Sequence, residues 1–256
     1  MISLITRIQY KDHYERLVRS VGKTAISEIE FLSEHDKDGL PHIAATYNRL
    51  GKSAKGDILV FCHDDIEFIE SCWDARLIEF FAEHDYDVAG VIGVDKYAGG
   101  LLVTLGNPHC FGKFINRAGD EMRVNIYNRR QNGTKMAAID GMFMAVRADH
   151  FKSEKFDEQF DELYFYDIDY CLRAKTGLID IMLAHHKMKD KWGKYPPNMR
   201  PIEDYEPAFY SKHGLRSAPP IGETRCACAS QEDYAEVGHD EIFKLFEEKY
   251  LNAAHV

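Results

Sequence analysis

The sequence predicts an α/β fold, a mostly parallel, doubly wound central sheet flanked by helices, with a C-terminal appendage. Three observations carry this. Short apolar runs alternate with segments of helical periodicity through Val94. The run from Ile58 to Cys62 is continuously apolar rather than alternating, as a strand buried on both faces is. The first three runs all end in polar residues, which parallel order gathers at one edge, where open α/β sheets hold their ligands.

Residues 2–6 read as the first strand, ending at Thr6 and Arg7. Residues 12–22 follow as a helix, with Tyr14, Leu17, Val18 and Val21 at helical spacing. The second strand, 29–32, leads into Glu34, His35 and Asp36. Pro41 opens a helix whose apolar face is Ile43, Ala44, Tyr47 and Leu50, closed by Gly56. The third strand, 58–62, stops abruptly at His63, Asp64 and Asp65. Ser71 and Asp74 mark a capping box before Trp73, Leu77, Phe80 and Phe81. A fourth strand spans 88–94. The order so far is β-α-β-α-β-α-β.

Alternation then breaks. Residues 99–106 are glycine-rich without the G-x-x-x-x-G-K-[ST] pattern of a phosphate loop, and 111–135 are polar with turn signals, as in a hairpin or a mobile insertion. A strand resumes at 142–146 after Asp140-Gly141. From Asp167 a helix turns Ile168, Cys171 and Leu172 inward, with Gly177 closing it. A last strand, 178–183, delivers His185 and His186. Residues 1–186 thus form the main domain. Residues 187–256, rich in Pro, Tyr and charge, form an extension folded back on it, with a helix at 241–250.

Composition narrows the classes. The 256 residues are 45% hydrophobic and 29% charged, ordinary for a globular protein, and the net charge of −10 argues against a nucleic-acid partner. The six cysteines form no framework. Cys62 and Cys171 lie in apolar contexts, while Cys226-Ala-Cys228 is too tight for a routine disulfide and has only His213 and His239 nearby to complete a metal site. That usage suits a reducing, cytoplasmic setting. The apolar start is too short for a secretory leader, and no run approaches the ~18 residues of a membrane helix.

The adjacent carboxylates Asp64 and Asp65 at a strand end have two readings: a solvated turn, or a pair held as anions by a cation. Three separated segments bear on the choice. Thr46-Tyr47-Asn48 with 56–65, then 140–147 with Phe156-Asp157-Glu158, then Tyr166 to Arg173 with Gly177, follow one another in a fixed order. Over residues 1–186 this resembles the nucleotide-sugar glycosyltransferases of the GT-A fold, in particular the family 2-like group, with its D-x-D, "d-G…F-D-E" and "E-D…R" segments. Two positions depart from it: His63 and Tyr166 stand where that family has acids.

The resemblance implies roles. Asp65 falls on the last acid of D-x-D, a ligand for the divalent metal that neutralises a diphosphate leaving group. Asp64 is a ribose contact or lies in the metal's water shell, and His63 is either a further ligand or structural. The family often draws a third ligand from after its final strand, here His185 or His186, and the spacing does not choose between them. Imidazole beside carboxylate favours Mn²⁺, with Mg²⁺ the alternative. Asp167 corresponds to the general base, though an Asp at a helix start is also an ordinary N-cap; Asp169, on another face, reads as an ion-pair partner.

Thr6, Arg7 and Glu34 fall where base, phosphate and ribose contacts occur, Asn48 near the nucleotide, and Asp140 near the transferred sugar. Each also reads as an ordinary surface or turn residue. The implied reaction is an inverting, metal-dependent transfer from a nucleoside diphosphate sugar, UDP-linked by preference. Its acceptor is a glycan, lipid or protein hydroxyl, and the extension is a candidate acceptor-site lid. A nucleotidyltransferase is the rival enzyme, but residues 6–22 lack its glycine-rich basic loop. A nucleotide-binding protein of the same fold without transferase activity is the non-enzymatic alternative.

Overall fold

A computed structural model describes residues 1–35, 42–97, 109–118, 121–128, 132–161, 165–186 and 206–213. Strand β1 (Ile2–Ile8) is the inner strand of the N-terminal half, parallel both to β2 (Ile29–His35) and to β3 (Ile58–His63). Its side chains Ile2, Leu4 and Ile5 are fully buried, as a strand covered on both faces requires. Helix α1 (Lys11–Thr24) connects β1 to β2 and buries Leu17 and Val21, while α2 (Ile43–Ser53) buries Ile43, Ala44 and Tyr47. Both crossovers are the βαβ kind that parallel neighbours demand.

The start of α2 is capped from afar. Asp161 takes the Ala45 N–H on Oδ1 and the His42 imidazole on Oδ2, and its carbonyl accepts from Ile43 N. Local sequence shows no such cap, because the cap belongs to a different segment.

The central sheet has seven strands in the order β2-β1-β3-β11-β5-β12-β9, where β5 is Val88–Gly90, β9 Thr134–Met136, β11 Phe143–Arg147 and β12 Thr176–Leu178. The class is as expected, but the sheet is mixed. Strand β11 runs antiparallel to both β3 and β5, and β9 antiparallel to β12. A chain returning from a long excursion has no need of a right-handed crossover, so it enters the middle of the sheet from the opposite end.

A second sheet follows the order β10-β6-β7-β13-β4 with β8 on β7; it uses β4 (Ile66–Phe68), β6 (Ile92–Val94), β7 (Cys110–Ala118), β8 (Glu121–Tyr127), β10 (Ala138–Ile139) and β13 (Leu183–His186). Two expected strands are each divided between the sheets. Residues 88–94 form β5 and β6 with Val91 at the break, and residues 178–183 split between the end of β12 and the start of β13. The first stretch is continuously apolar and buried and the second is interrupted only by Asp180, so periodicity alone does not mark the bend between the two sheets. The hairpin expected in 111–135 is β7 and β8.

Other local expectations change. Helix α3 (Trp73–Glu83) does not start from a Ser71 capping box: Cys72 precedes it at φ +59, and Asp74 accepts from Ile26 and Ser27 N–H groups instead. Gly177 lies inside β12, and Gly56 lies beyond the end of α2, where any Cβ would run into the Ser3 backbone. Pro41, residues 99–106, Cys226, Cys228 and the helix expected at 241–250 lie outside the described residues.

One apolar core unites both sheets, with Trp73, Phe61, Phe68 and Phe143 among its largest fully buried side chains. The short helix α4 (Ala148–Ser153), α5 (Tyr166–Leu172) and α6 (Glu206–His213) complete the described elements. No described helix is long and apolar enough to cross a membrane.

Candidate active site

Register builds the site. Arg7 pairs with Glu34 on one side and with His63 on the other, so the ends of the three parallel strands stand level. Because β11 runs the other way, its start meets the same edge: Phe143 pairs with Cys62, and His63 N–H donates to the Met142 carbonyl at 3.2 Å. Asp140-Gly141 therefore sits at the strand ends although it is distant in sequence.

The chain then turns through Asp64 and Asp65 into β4, which pairs antiparallel with β13, His185 opposite Ile66. His186 N–H donates to the Asp65 carbonyl at 2.8 Å. Adjacent strand residues face opposite sides, and this divides the two histidines. His185 Nε2 donates to Asp65 Oδ2 at 3.0 Å, whereas His186 Nε2 lies 2.6 Å from Glu67 Oε2.

His63, Asp65 and His185 consequently form a cluster in which one ligand atom from each lies within 4.8 Å of the others. Asp65 Oδ1 is buried and has no hydrogen-bond partner among the described residues; His63 Nδ1 is 4.0 Å away. Burial pushes the Asp65 carboxyl up, but the charge and hydrogen bond of His185, helped by His63 and His13, outweigh it and hold the group below the ordinary carboxylate range. An ionised, buried oxygen left unsatisfied is costly. A divalent cation is the partner this donor set fits: two imidazoles and a carboxylate, the mixture that borderline metals accept.

Asp64 differs from its neighbour. Its Oδ2 accepts the N–H groups of Gln9 and Tyr10 at 2.7 and 2.8 Å, fixing the turn from β1 into α1. Burial raises its pKa to about 6 against the pull of those two N–H groups.

Asp167 lies in the first turn of α5. Its Oδ2 accepts from Gly141 N at 2.7 Å and its Oδ1 from Ile168 N at 2.8 Å. Burial first, then the charge of Asp140, pushes its carboxyl up to about 7, with the two N–H groups opposing. A carboxyl with that pKa takes and gives a proton near neutrality. Asp140 itself accepts from Met142 N at 2.9 Å, closing the turn before β11. Asp169, two residues on, is fully buried and bound by Arg173, Lys212 and His213, the ion-pair role expected of it.

The remaining candidates are placed as follows. Arg7 is half-buried at the level of His63, and its charge bears on Asp64. Glu34 accepts from Arg49 Nε at 2.8 Å. Thr6 is fully buried and donates to the Cys62 carbonyl at 2.8 Å. Asn48 exchanges hydrogen bonds with the Phe156 backbone and donates to Glu158, tying α2 to the segment after α4.

Two groups escaped the sequence reading. His13, on the first turns of α1, has a buried Nδ1 without a hydrogen-bond partner among the described residues and feels the charge of Asp65. Its spacing on an amphipathic helix gave no sign of this. Tyr166 was noted as a departure, but its contact with His63 was not foreseeable from residues so far apart: the hydroxyl lies 3.0 Å from His63 Nε2.

The mixed central sheet with its flanking helices is a GT-A kind of fold, and its strand ends carry an aspartate–histidine cluster faced by the half-buried Asp167 in the first turn of α5. Residues 3–210 match the model of a glycosyltransferase-like family, and the chain belongs to that family. The match runs past His186 into the extension.

GalNAc-T7, solved with UDP, GalNAc and Mn²⁺, has a similar fold, with a TM-score of 0.55 at 12% identity over 98% of this chain and 55% of that one. Residues 1–349 of TarS from S. aureus with UDP-GlcNAc give 0.54 at 12% identity, over 82% of this chain and 66% of the other. The chain thus spans about half the length of the GalNAc-T7 structure. Among curated proteins, the ATP synthase subunits region ORF 6 product of Fuscovulum blasticum is 26% identical over 198 residues, 73% of this chain and 75% of that protein.

Proposed function

We propose that this protein transfers a sugar from a nucleoside diphosphate sugar, UDP-linked, to an acceptor hydroxyl with inversion. The observation that carries the reading is the orphaned Asp65 Oδ1 between His63 and His185 at the ends of the parallel strands. When bound there, Mn²⁺ would supply Lewis-acid neutralisation of the diphosphate. Asp65, His185 and His63 hold it; Arg7, at the same level, faces the phosphates.

Asp167 is the base. It accepts the acceptor's hydroxyl proton as that oxygen bonds to the anomeric carbon, while the bond to the diphosphate breaks and its electron pair departs with the leaving group. Gly141 and Ile168 N–H groups hold the carboxylate in one orientation, and Asp140 keeps its proton affinity high enough for the task. Asp64 serves by fixing the β1–α1 turn beside the nucleotide. The extension beyond residue 186 is a lid on the acceptor side, a reading supported by α6, whose Lys212 and His213 bind Asp169 beside the base. The buried thiols of Cys62 and Cys171, which form no disulfide, support a reducing, cytoplasmic setting.

Thermal melts with UDP, GDP and CDP, each with and without Mn²⁺, test this. A ligand at ~100 times its dissociation constant adds about 2.7 kcal/mol, several degrees for a chain of this size. A rise with UDP that needs Mn²⁺ and disappears in Asp65→Asn is the expected result. No rise with any combination overturns the donor-site reading.

A further inference from the structure

We propose that Tyr166 is a positioning residue whose hydroxyl orients His63 so that the imidazole Nδ1 faces the cation site. This rests on the metal reading above and assigns it a supporting residue. The two positions at which the chain departs from the acidic pattern of its family turn out to be in contact: His63 ends β3, Tyr166 begins α5, and Nε2 and the hydroxyl are 3.0 Å apart. The opposite ring nitrogen, Nδ1, points toward Asp65 Oδ1 at 4.0 Å. An imidazole that ligates through Nδ1 must carry its proton on Nε2 and needs an acceptor there. The phenol oxygen is that acceptor, and burial, which raises its pKa well above the ordinary value, keeps it from bringing further charge into the cluster.

The ring is held in place on several sides. Tyr166 is buried, and the rings of Tyr47 and Phe156 lie 6.1 and 6.2 Å from it, centroid to centroid. Its hydroxyl rests against Gly141, where any Cβ would overlap it. Phe165, just before it, adopts φ +67, a left-handed conformation uncommon for a bulky residue and kept here to turn the chain into α5. So much constraint around one hydroxyl is more than core packing requires, since a phenylalanine would fill the same space.

The test is a double-mutant cycle on Mn²⁺ affinity, read by electron paramagnetic resonance in the wild type, Tyr166→Phe, His63→Ala and the double variant, each checked for folding by its melt. Loss of a partner of this kind weakens metal binding ~10–100-fold. The expected result is a loss in that range for Tyr166→Phe and no further loss when it is added to His63→Ala, since Tyr166 acts only through His63. Wild-type affinity in Tyr166→Phe, or an equal loss in both backgrounds, overturns the proposal while leaving the metal site intact. A wild type that binds no Mn²⁺ overturns the metal reading itself, and this proposal with it. Should Tyr166→Phe not fold, long-range ¹H–¹⁵N correlation of the wild-type imidazoles decides. His63, identified by its absence in His63→Ala, should carry its proton on Nε2, and a proton on Nδ1 overturns the assignment.

Discussion

The end of β3 and the start of α5 are built on the same plan and divide their acids in the same way. Each presents two carboxylates close together in sequence, Asp64 and Asp65 in one, Asp167 and Asp169 in the other. Within each pair one acid is spent on structure: Asp64 on two backbone N–H groups, Asp169 on Arg173, Lys212 and His213. The other keeps something in reserve. Asp65 has a buried oxygen without a partner among the described residues, and Asp167 has a proton affinity lifted into the neutral range. The lesson is one of place rather than of pKa: Asp64 is raised too, to about 6, but its Oδ2 is committed to the β1–α1 turn, whereas Asp65 lies beside His63 and His185 and Asp167 against Gly141 at the strand ends.

The contrast can be broken at each acid. Asp167→Asn should lower transfer ~10²–10⁴-fold, the usual worth of a general base, with the nucleotide-induced melting shift unchanged; a variant of near wild-type rate ends the assignment. Asp65→Asn should remove Mn²⁺-dependent nucleotide binding and also lower the melting temperature, because the fold favours the ionised carboxylate beside His185. Titration calorimetry against UDP with Mn²⁺ reads this, and retained binding sinks it.

Asp169→Ala should cost about 3 kcal/mol in urea unfolding as Arg173, Lys212 and His213 lose their buried partner, while leaving Mn²⁺ affinity near normal. Asp64→Ala should cost about 2 kcal/mol by stranding two N–H groups; an effect below a few tenths of that would show that the turn is held by something else.

A further effect is on pH. The folded state raises the Asp167 pKa from 3.8 to about 7, so it binds the proton more tightly than the unfolded chain does. Its contribution to stability is fully present below about pH 4 and is lost as pH climbs toward 7. Unfolding free energies of wild type and Asp167→Asn between pH 4 and 8 should diverge in that sense. Transfer, which needs the ionised base, should rise over the same upper limb.

The N-terminal half of this arrangement was legible in the sequence because its signals are local. Ile2 to Ile8, Ile29 to His35 and Ile58 to His63 are each one apolar run with a polar end, and parallel order brings those ends together without further information. Apart from its hairpin, the second sheet was not legible. Strands β4, β6, β10 and β13 are short, and β5 joins β6 through Val91 with no polar residue to mark the turn. His185 was legible as one of two histidines, but choosing it required knowing that Ile66 lies opposite it. The tie between His63 and Tyr166 was beyond reach for the same reason: both residues stood out as oddities, and only the fold reveals that they are partners. Asn48 and Thr6 show the converse, polar residues in suggestive positions whose hydrogen bonds go to the backbone.

The single residue between β5 and β6 has a mechanical consequence. His63 stands on the central sheet and His185 on the second, so the opening between them is set by how the two sheets are bolted together, and Val91 leaves that joint almost no slack. The spacing of the two imidazoles is therefore a property of the joint between the sheets as much as of the strands that carry them.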